Sequence, residues 1–131
     1  MAQTNSIGFI MSVSKEILIV EDSEELSELI ADALSGICEI HIADGVKTAI
    51  SMINEHGAYD LLICDKTLGD GSGFDVVEYY QEKKLEGGIL FLSGDSEIED
   101  KLEGFRLDII DYLEKPISMR ELRIRVLKAL E

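Results

Sequence analysis

A chain of 131 residues, 46% hydrophobic and 30% charged, has the size and make-up of one globular domain and not of a disordered or fibrous segment. Asp and Glu number 27 against 12 Lys and Arg, a net charge of -15 that repels nucleic acid and anionic membrane and argues against direct contact with either. Its cysteines, Cys38 and Cys64, both fall in apolar runs, which argues against a disulfide scaffold and for a reducing, cytoplasmic location.

Residues 1–14 read as a flexible N-terminal extension, and the domain is expected over residues 15–131. The stretch "SIGFIM" is apolar, but no Lys or Arg precedes it, so neither a secretory signal nor a membrane span is supported. Met11 opens "MSVSKEILIV" and offers a second start, which would make residues 1–10 dispensable.

The first strand is predicted at "EILIV" (16–20), followed by a helix whose apolar stripe is Leu26, Leu29, Ile30, Ala33 and Leu34. A second strand, "CEIHIA" (38–43), alternates and so suits a sheet edge. Val46, Ala49, Ile50 and Ile53 mark the second helix, and "DLLIC" (60–64) the third strand. Phe74, Val77 and Tyr80 serve a third helix, after which Gly87 and Gly88 lead into the fourth strand, "GILFL" (88–92). Ile98, Leu102 and Phe105 mark a fourth helix, "IIDYL" (109–113) a fifth strand, and Leu122, Val126, Ala129 and Leu130 a fifth helix. Ser96 with Glu99, and Ser118 with Glu121, fit the capping box, in which hydroxyl and carboxylate satisfy orphan amides reciprocally.

Four of the five apolar runs are nearly continuous, as in strands buried on both faces of a parallel sheet. The series is therefore (βα)5, a single doubly wound α/β domain. Right-handed crossovers bring every strand's C-terminal end to one edge, where ligands of such folds bind.

Glu21 and Asp22 arrive there from strand one, Asp65 from strand three, Ser93 from strand four, and Lys115 with Pro116 from strand five. Three carboxylates so close need a counter-ion, and a hard divalent cation such as Mg²⁺ takes oxygen ligands of this kind. Each residue also has a plainer account. Asp22 and Ser23 can cap the first helix, and for that pair alone capping is the simpler reading. Asp65 and Ser93 can be turn residues, and Lys115 a solvated lysine. Their joint arrival at one edge is what a coincidence of plain roles does not explain.

The blocks "ILIVEDSEEL", "DLLICDKTLGDGSGFDVV", "ILFLSGDSE" and "DYLEKPIS" resemble the signature of the receiver domain of two-component response regulators, from about Ile17 to the end of the chain. The resemblance implies a flavodoxin-like three-layer sandwich whose central five-stranded parallel sheet has the order 2-1-3-4-5. It implies that Asp65 is the phosphoacceptor and attacks the phosphohistidine of a sensor histidine kinase or phosphotransfer protein. Asp22 and Asp65 would ligate Mg²⁺ or Mn²⁺, Glu21 through a water, with the backbone carbonyl of Thr67 completing the protein's share. Lys115 would pair with a phosphoryl oxygen, Ser93 would hydrogen-bond it, and Tyr112 would turn inward as Ser93 moves. The Lys115–Pro116 bond would be cis. Tyr112 can equally be a core tyrosine with a satisfied hydroxyl. Such a module is a signalling domain and not an enzyme; it would control a downstream output protein or domain.

The roles agree with the chemistry. Phosphoryl transfer is mostly positioning and charge neutralisation, and a carboxylate is already ionised at neutral pH, so no general base is needed. His41 and His56 fit no such role and read as structural or solvated.

Departures from the family pattern are Gly69, where many members have proline, and the acidic "DGSG" after it, which predict a more flexible loop. Thr67 and Asp95 occupy positions that tune phosphoryl lifetime in the family. "DIIDY" replaces "GADDY", so part of the charge pattern by which one subfamily dimerises is missing, while Lys101, Asp111, Arg120 and Arg125 leave a homodimer open. The alternative function is a phosphorylation-independent acidic adaptor. A phosphatase of the haloacid dehalogenase type is disfavoured because Thr67 stands where its second Asp would be. The "EDSEE" after strand one likewise disfavours a flavin phosphate loop.

Overall fold

Strand β1 (Glu16–Val20) lies between two other strands and is buried from its second residue onward, so both of its faces must be apolar. The computed structural model describes residues 14–94 and 109–131. The extension at residues 1–13, Asp95, the Ser96 and Glu99 cap, the Ile98, Leu102 and Phe105 helix, and Lys101 lie outside the described residues.

The remaining elements are α1 (Glu24–Ala33), β2 (Glu39–Ala43), α2 (Val46–His56), β3 (Leu61–Asp65), β4 (Thr67–Leu68), β5 (Gly71–Ser72), α3 (Gly73–Glu82), β6 (Gly88–Ser93), β7 (Ile109–Glu114) and α4 (Met119–Ala129). The main sheet has the order β2-β1-β3-β6-β7 with every pair parallel. Counting its own strands, that is the expected 2-1-3-4-5. Strand β2 is the predicted edge, with Glu39 and Ile42 exposed and Ala43 alone buried.

Because neighbouring strand residues point to opposite faces, the apolar runs split into two cores. Leu18, Val20, Leu62, Cys64 and Phe91 pack with Ala49 and Ile53 of α2 and Val76, Val77 and Tyr80 of α3. Ile17, Ile19, Leu61, Ile63, Leu90 and Leu92 pack with Ile30 of α1 and Leu122 and Val126 of α4. The result is the three-layer sandwich.

Several details differ from the sequence reading. Leu29 is 49% exposed: the helical period locates the middle of the buried stripe on α1, at Ile30, but not its width. Strands β3 and β6 each run one residue further than predicted, which makes Asp65 and Ser93 part of the sheet and not of the loops. The "TLGDGS" stretch is a small antiparallel ladder, Thr67 opposite Ser72 and Leu68 opposite Gly71. Its acid, Asp70, accepts hydrogen bonds from the Val46 and Lys47 amides at 2.8 and 3.1 Å and so caps α2, whose own cap position, Gly45, has no side chain. Of the capping box predicted for Ser118 and Glu121, one half forms: Ser118 accepts from the Glu121 amide at 3.2 Å, while the Glu121 carboxylate turns to Arg125. A capping box made in both directions stands on α3, between Ser72 and Asp75.

Between β6 and β7 the register slips by one residue: Ile89 is opposite Ile109, but Leu90 is opposite Asp111. Among the described residues, no helix is long and apolar enough to cross a membrane.

Candidate functional site

The strand tips are held by hydrogen bonds that continue the sheet ladders beyond their last paired residues. The Glu21 amide donates to Ala43 O at 3.0 Å, Lys66 to Leu92 O at 2.8 Å, and Lys115 to Ser93 O at 2.8 Å. These bonds tie the tip of β1 to that of β2 and lace the tips of β3, β6 and β7 together, and the side chains there gain fixed positions from the backbone.

Three carboxylates gather at these tips. Glu21, Asp22 and Asp65 each place a ligand oxygen within 4.8 Å of the others; Glu21 and Asp65 are buried and Asp22 is exposed. Lys115 reaches in from beyond β7, its Nζ 2.6 Å from Asp65 Oδ2 and 3.9 Å from Glu21 Oε1. The Lys115–Pro116 peptide bond is cis. Ser93, at the end of β6, is 1% exposed, and Tyr112 is half-buried against the α2 and α3 core. Thr67 is exposed, and its amide donates to Asp65 Oδ1 at 3.3 Å.

Ser23, not Asp22, is the N-cap of α1: its hydroxyl accepts from the Leu26 amide at 3.2 Å. Asp22 is thereby left facing the other two acids, which separates the two roles that the sequence left open for the pair.

The electrostatics follow from this crowding. Burial pushes the Glu21 carboxyl up to about 8, against the Ser23 amide that donates to it at 3.0 Å and with Asp65 adding to the rise. Burial pulls the Lys115 ammonium down, but Asp65, Glu21 and Asp22 together outweigh that and leave it raised. Glu21 Oε1 is buried and has no hydrogen-bond partner among the described residues.

Two residues that matter to the site were not identified from sequence. Gly73 opens α3 where a β-carbon would fall 2.2 Å from the carbonyl oxygen of Asp65, so only glycine lets the helix sit against the strand tip. Asp70, read as a loop acid, is the α2 cap. Asp111 and Arg125, which left a homodimer open, are ion-paired with each other within the chain, and Arg125 also bonds Glu121 at 2.8 Å. His41 and His56 lie at the opposite edge of the sheet, packed around Tyr59.

A doubly wound parallel sheet whose strand tips gather three acids, a lysine and a buried serine carries them on the edge where folds of this class bind their ligands. The family model for the response regulator receiver domain matches residues 17–127, and the chain belongs to that family. It is 33% identical over 112 residues to the transcriptional regulatory protein CiaR of Streptococcus pneumoniae, covering 85% of this chain and 49% of that protein. It is 32% identical over 115 residues to the transcriptional regulatory protein DltR of Streptococcus agalactiae, covering 84% and 49%. The chain thus spans about half the length of these relatives. Among solved structures, the signal receiver domain of a Luxo repressor protein from Vibrio parahaemolyticus superposes with a TM-score of 0.80 at 26% identity, covering 90% of this chain and 91% of that one.

Proposed function

We propose that Asp65 is the phosphoacceptor of a two-component phosphorelay and that its modification switches the domain between two output states. The observation that carries this reading is the short pair between Asp65 and Lys115, on a strand tip where two further acids converge. One Asp65 carboxylate oxygen forms a bond to the phosphorus of a donor phosphohistidine as the phosphorus to nitrogen bond breaks, and the imidazole leaves with the bonding pair. The reaction joins two anions, so neutralisation and alignment are what the protein must provide.

The residues fit a divalent cation. A buried Glu21 oxygen without a hydrogen-bond partner among the described residues, beside the carboxylates of Asp22 and Asp65, is the surrounding a hard cation suits. Asp22, Asp65 and the carbonyl of Thr67 would hold Mg²⁺ or Mn²⁺, with Glu21 acting through a water. When bound, the metal supplies positive charge to the equatorial phosphoryl oxygens. Lys115 already stands against Asp65 and is placed to follow a phosphoryl oxygen. Ser93, one residue beyond the pairing of Asp65 with Leu92, would donate its hydroxyl to another.

Those new bonds would favour a state in which Ser93 and Tyr112 are drawn toward the phosphoryl group, and a partner binding that state better would read the signal. The donor is a sensor histidine kinase or phosphotransfer protein, and the reader an output protein or domain, in the cytoplasm. The domain module is assigned to residues 15–131. Incubation with Mg²⁺ and acetyl phosphate adds one phosphoryl mass to the wild type and none to Asp65→Asn; equal gain by both proteins refutes the assignment.

A further inference from the structure

The chain's only two histidines meet at the edge of the sheet opposite Asp65, together with two acids. Glu16 and Glu39 are the first residues of β1 and β2 and face each other in the register. His41 stands two residues along β2, and His56 is the last residue of α2. Strand β1 separates this cluster from the acidic site by its length, about 16 Å from Glu16 to Glu21.

We propose that Glu16, Glu39, His41 and His56 form a second cation site, one that takes a borderline divalent transition metal such as Zn²⁺. Glu16, Glu39 and His41 each offer a ligand atom within 4.8 Å of the others. His41 Nε2 lies 3.0 Å from Glu39 Oε2, and His56 Nε2 lies 3.1 Å from Glu16 Oε2. Two ligand atoms bound tetrahedrally at zinc distances stand about 3.3 Å apart, so both pairs are close to the spacing of neighbouring ligands. The two imidazole rings have centroids 5.4 Å apart and lie edge to face. Two imidazoles bound to one zinc through ring nitrogens hold their centroids about 5 Å apart, which matches.

The far nitrogens are engaged as well. His41 Nδ1 is 2.9 Å from the Tyr59 hydroxyl, and His56 Nδ1 is 3.5 Å from Gly57 O. Such partners hold both rings with Nε2 toward the carboxylates, the nitrogen that a metal would take in place of a proton. Tyr59 orients both rings: it stacks on His56 at 3.9 Å and 6° and meets His41 edge-on. Tyr59 is itself buried, with its amide bonded to Tyr80 Oη at 2.9 Å, so the scaffold is rigid.

Charge and ligand type select the ion. Among the described residues, the ion-pair partners of Glu16 and Glu39 are the two histidines, which if neutral leave two negative charges for a dication to balance. Two nitrogens and two oxygens suit Zn²⁺, whereas Mg²⁺ keeps to oxygen. The carboxylates also hold the His56 imidazole proton, Glu16 first among them, so binding would displace protons. An occupied site would clip β1, the edge strand β2 and the end of α2 together.

Zn²⁺ titrated into the chain at pH 7.5 in millimolar Mg²⁺, followed by the imidazole nitrogen and proton resonances, tests this. Both histidines should shift together and saturate at one equivalent, with Asp22→Asn behaving as wild type. His41→Gln with His56→Gln should weaken binding at least tenfold, and so should Glu39→Gln, a change at an exposed side chain. The wild-type resonances report whether or not the variants fold. Movement of one histidine alone, failure to saturate, or dependence on Asp22 would overturn the site.

Discussion

A β-carbon on Gly73 would lie 2.2 Å from the carbonyl oxygen of Asp65 and 3.0 Å from the Cys64 sulfur. The first turn of α3 therefore rests on the backbone that presents Asp65. Gly73→Ala should force the helix away from the strand tip, costing about 1–3 kcal/mol as an overpacked site and slowing phosphorylation by acetyl phosphate. Thermal melts and the mass-gain assay measure the two effects. An alanine variant that melts and reacts as wild type would show that the contact is soft.

The raised Glu21 carboxyl makes metal-free stability depend on pH. Its folded value, about 8, exceeds the unfolded value of roughly 4.3. Below the unfolded value both states are protonated and nothing is lost. Between the two values the unfolded chain ionises while the folded one keeps its proton, so stability falls as pH rises and levels off above 8. Melts in EDTA from pH 5 to 8.5 should show this decline, and Glu21→Gln should flatten it. Mg²⁺ binding at pH 7 should release protons, detected by calorimetry in buffers of different ionisation enthalpy.

Asp70 is held below the usual carboxylate range by the Val46 amide first and the Lys47 amide second. Its contribution is therefore present above the unfolded value near 3.9 and is lost as pH falls through the lower folded value. An NMR titration of the side-chain carbonyl should find it depressed. Asp70→Ala should lower the melting point, and Gly45→Ala should do the same, because a β-carbon there would fall 2.7 Å from Asp70 Oδ1. If neither variant moves the melting point, α2 does not depend on this cap.

The two thiols should separate by access. Burial pushes both upward, but Cys64 lies wholly inside β3, with its sulfur 3.6 Å from Asp65 O and 3.7 Å from Gly73 O. Iodoacetamide on the native protein should label Cys38 and spare Cys64 until denaturant is added, as read by peptide mass mapping.

What could be read from sequence was whatever topology alone determines. Asp65, Ser93 and Lys115 were identifiable because parallel strands with helical crossovers must end on one edge, wherever the loops go. Gly73 and Asp70 were not, because their roles depend on the gap between segments that the sequence does not measure. Leu29 was misread because a period has no width. The histidine cluster was hidden for a related reason: His41 and His56 are separated in the chain, and only the packing of α2 beside β2 brings their rings to 5.4 Å.

The one-residue slip between β6 and β7 works as a change of phase. Side chains on a strand alternate like even and odd numbers, and one skipped residue exchanges the two sets for everything that follows. Past the slip, Phe91 is opposite Tyr112 and Leu92 is opposite Leu113. Tyr112 therefore joins the layer of α2 and α3, and Leu113 joins that of α1 and α4. Removing one residue ahead of Asp111 would trade their sides and place an aromatic hydroxyl where an aliphatic chain belongs. A strand six residues long thus carries, in its count alone, the choice of which helical layer receives Tyr112.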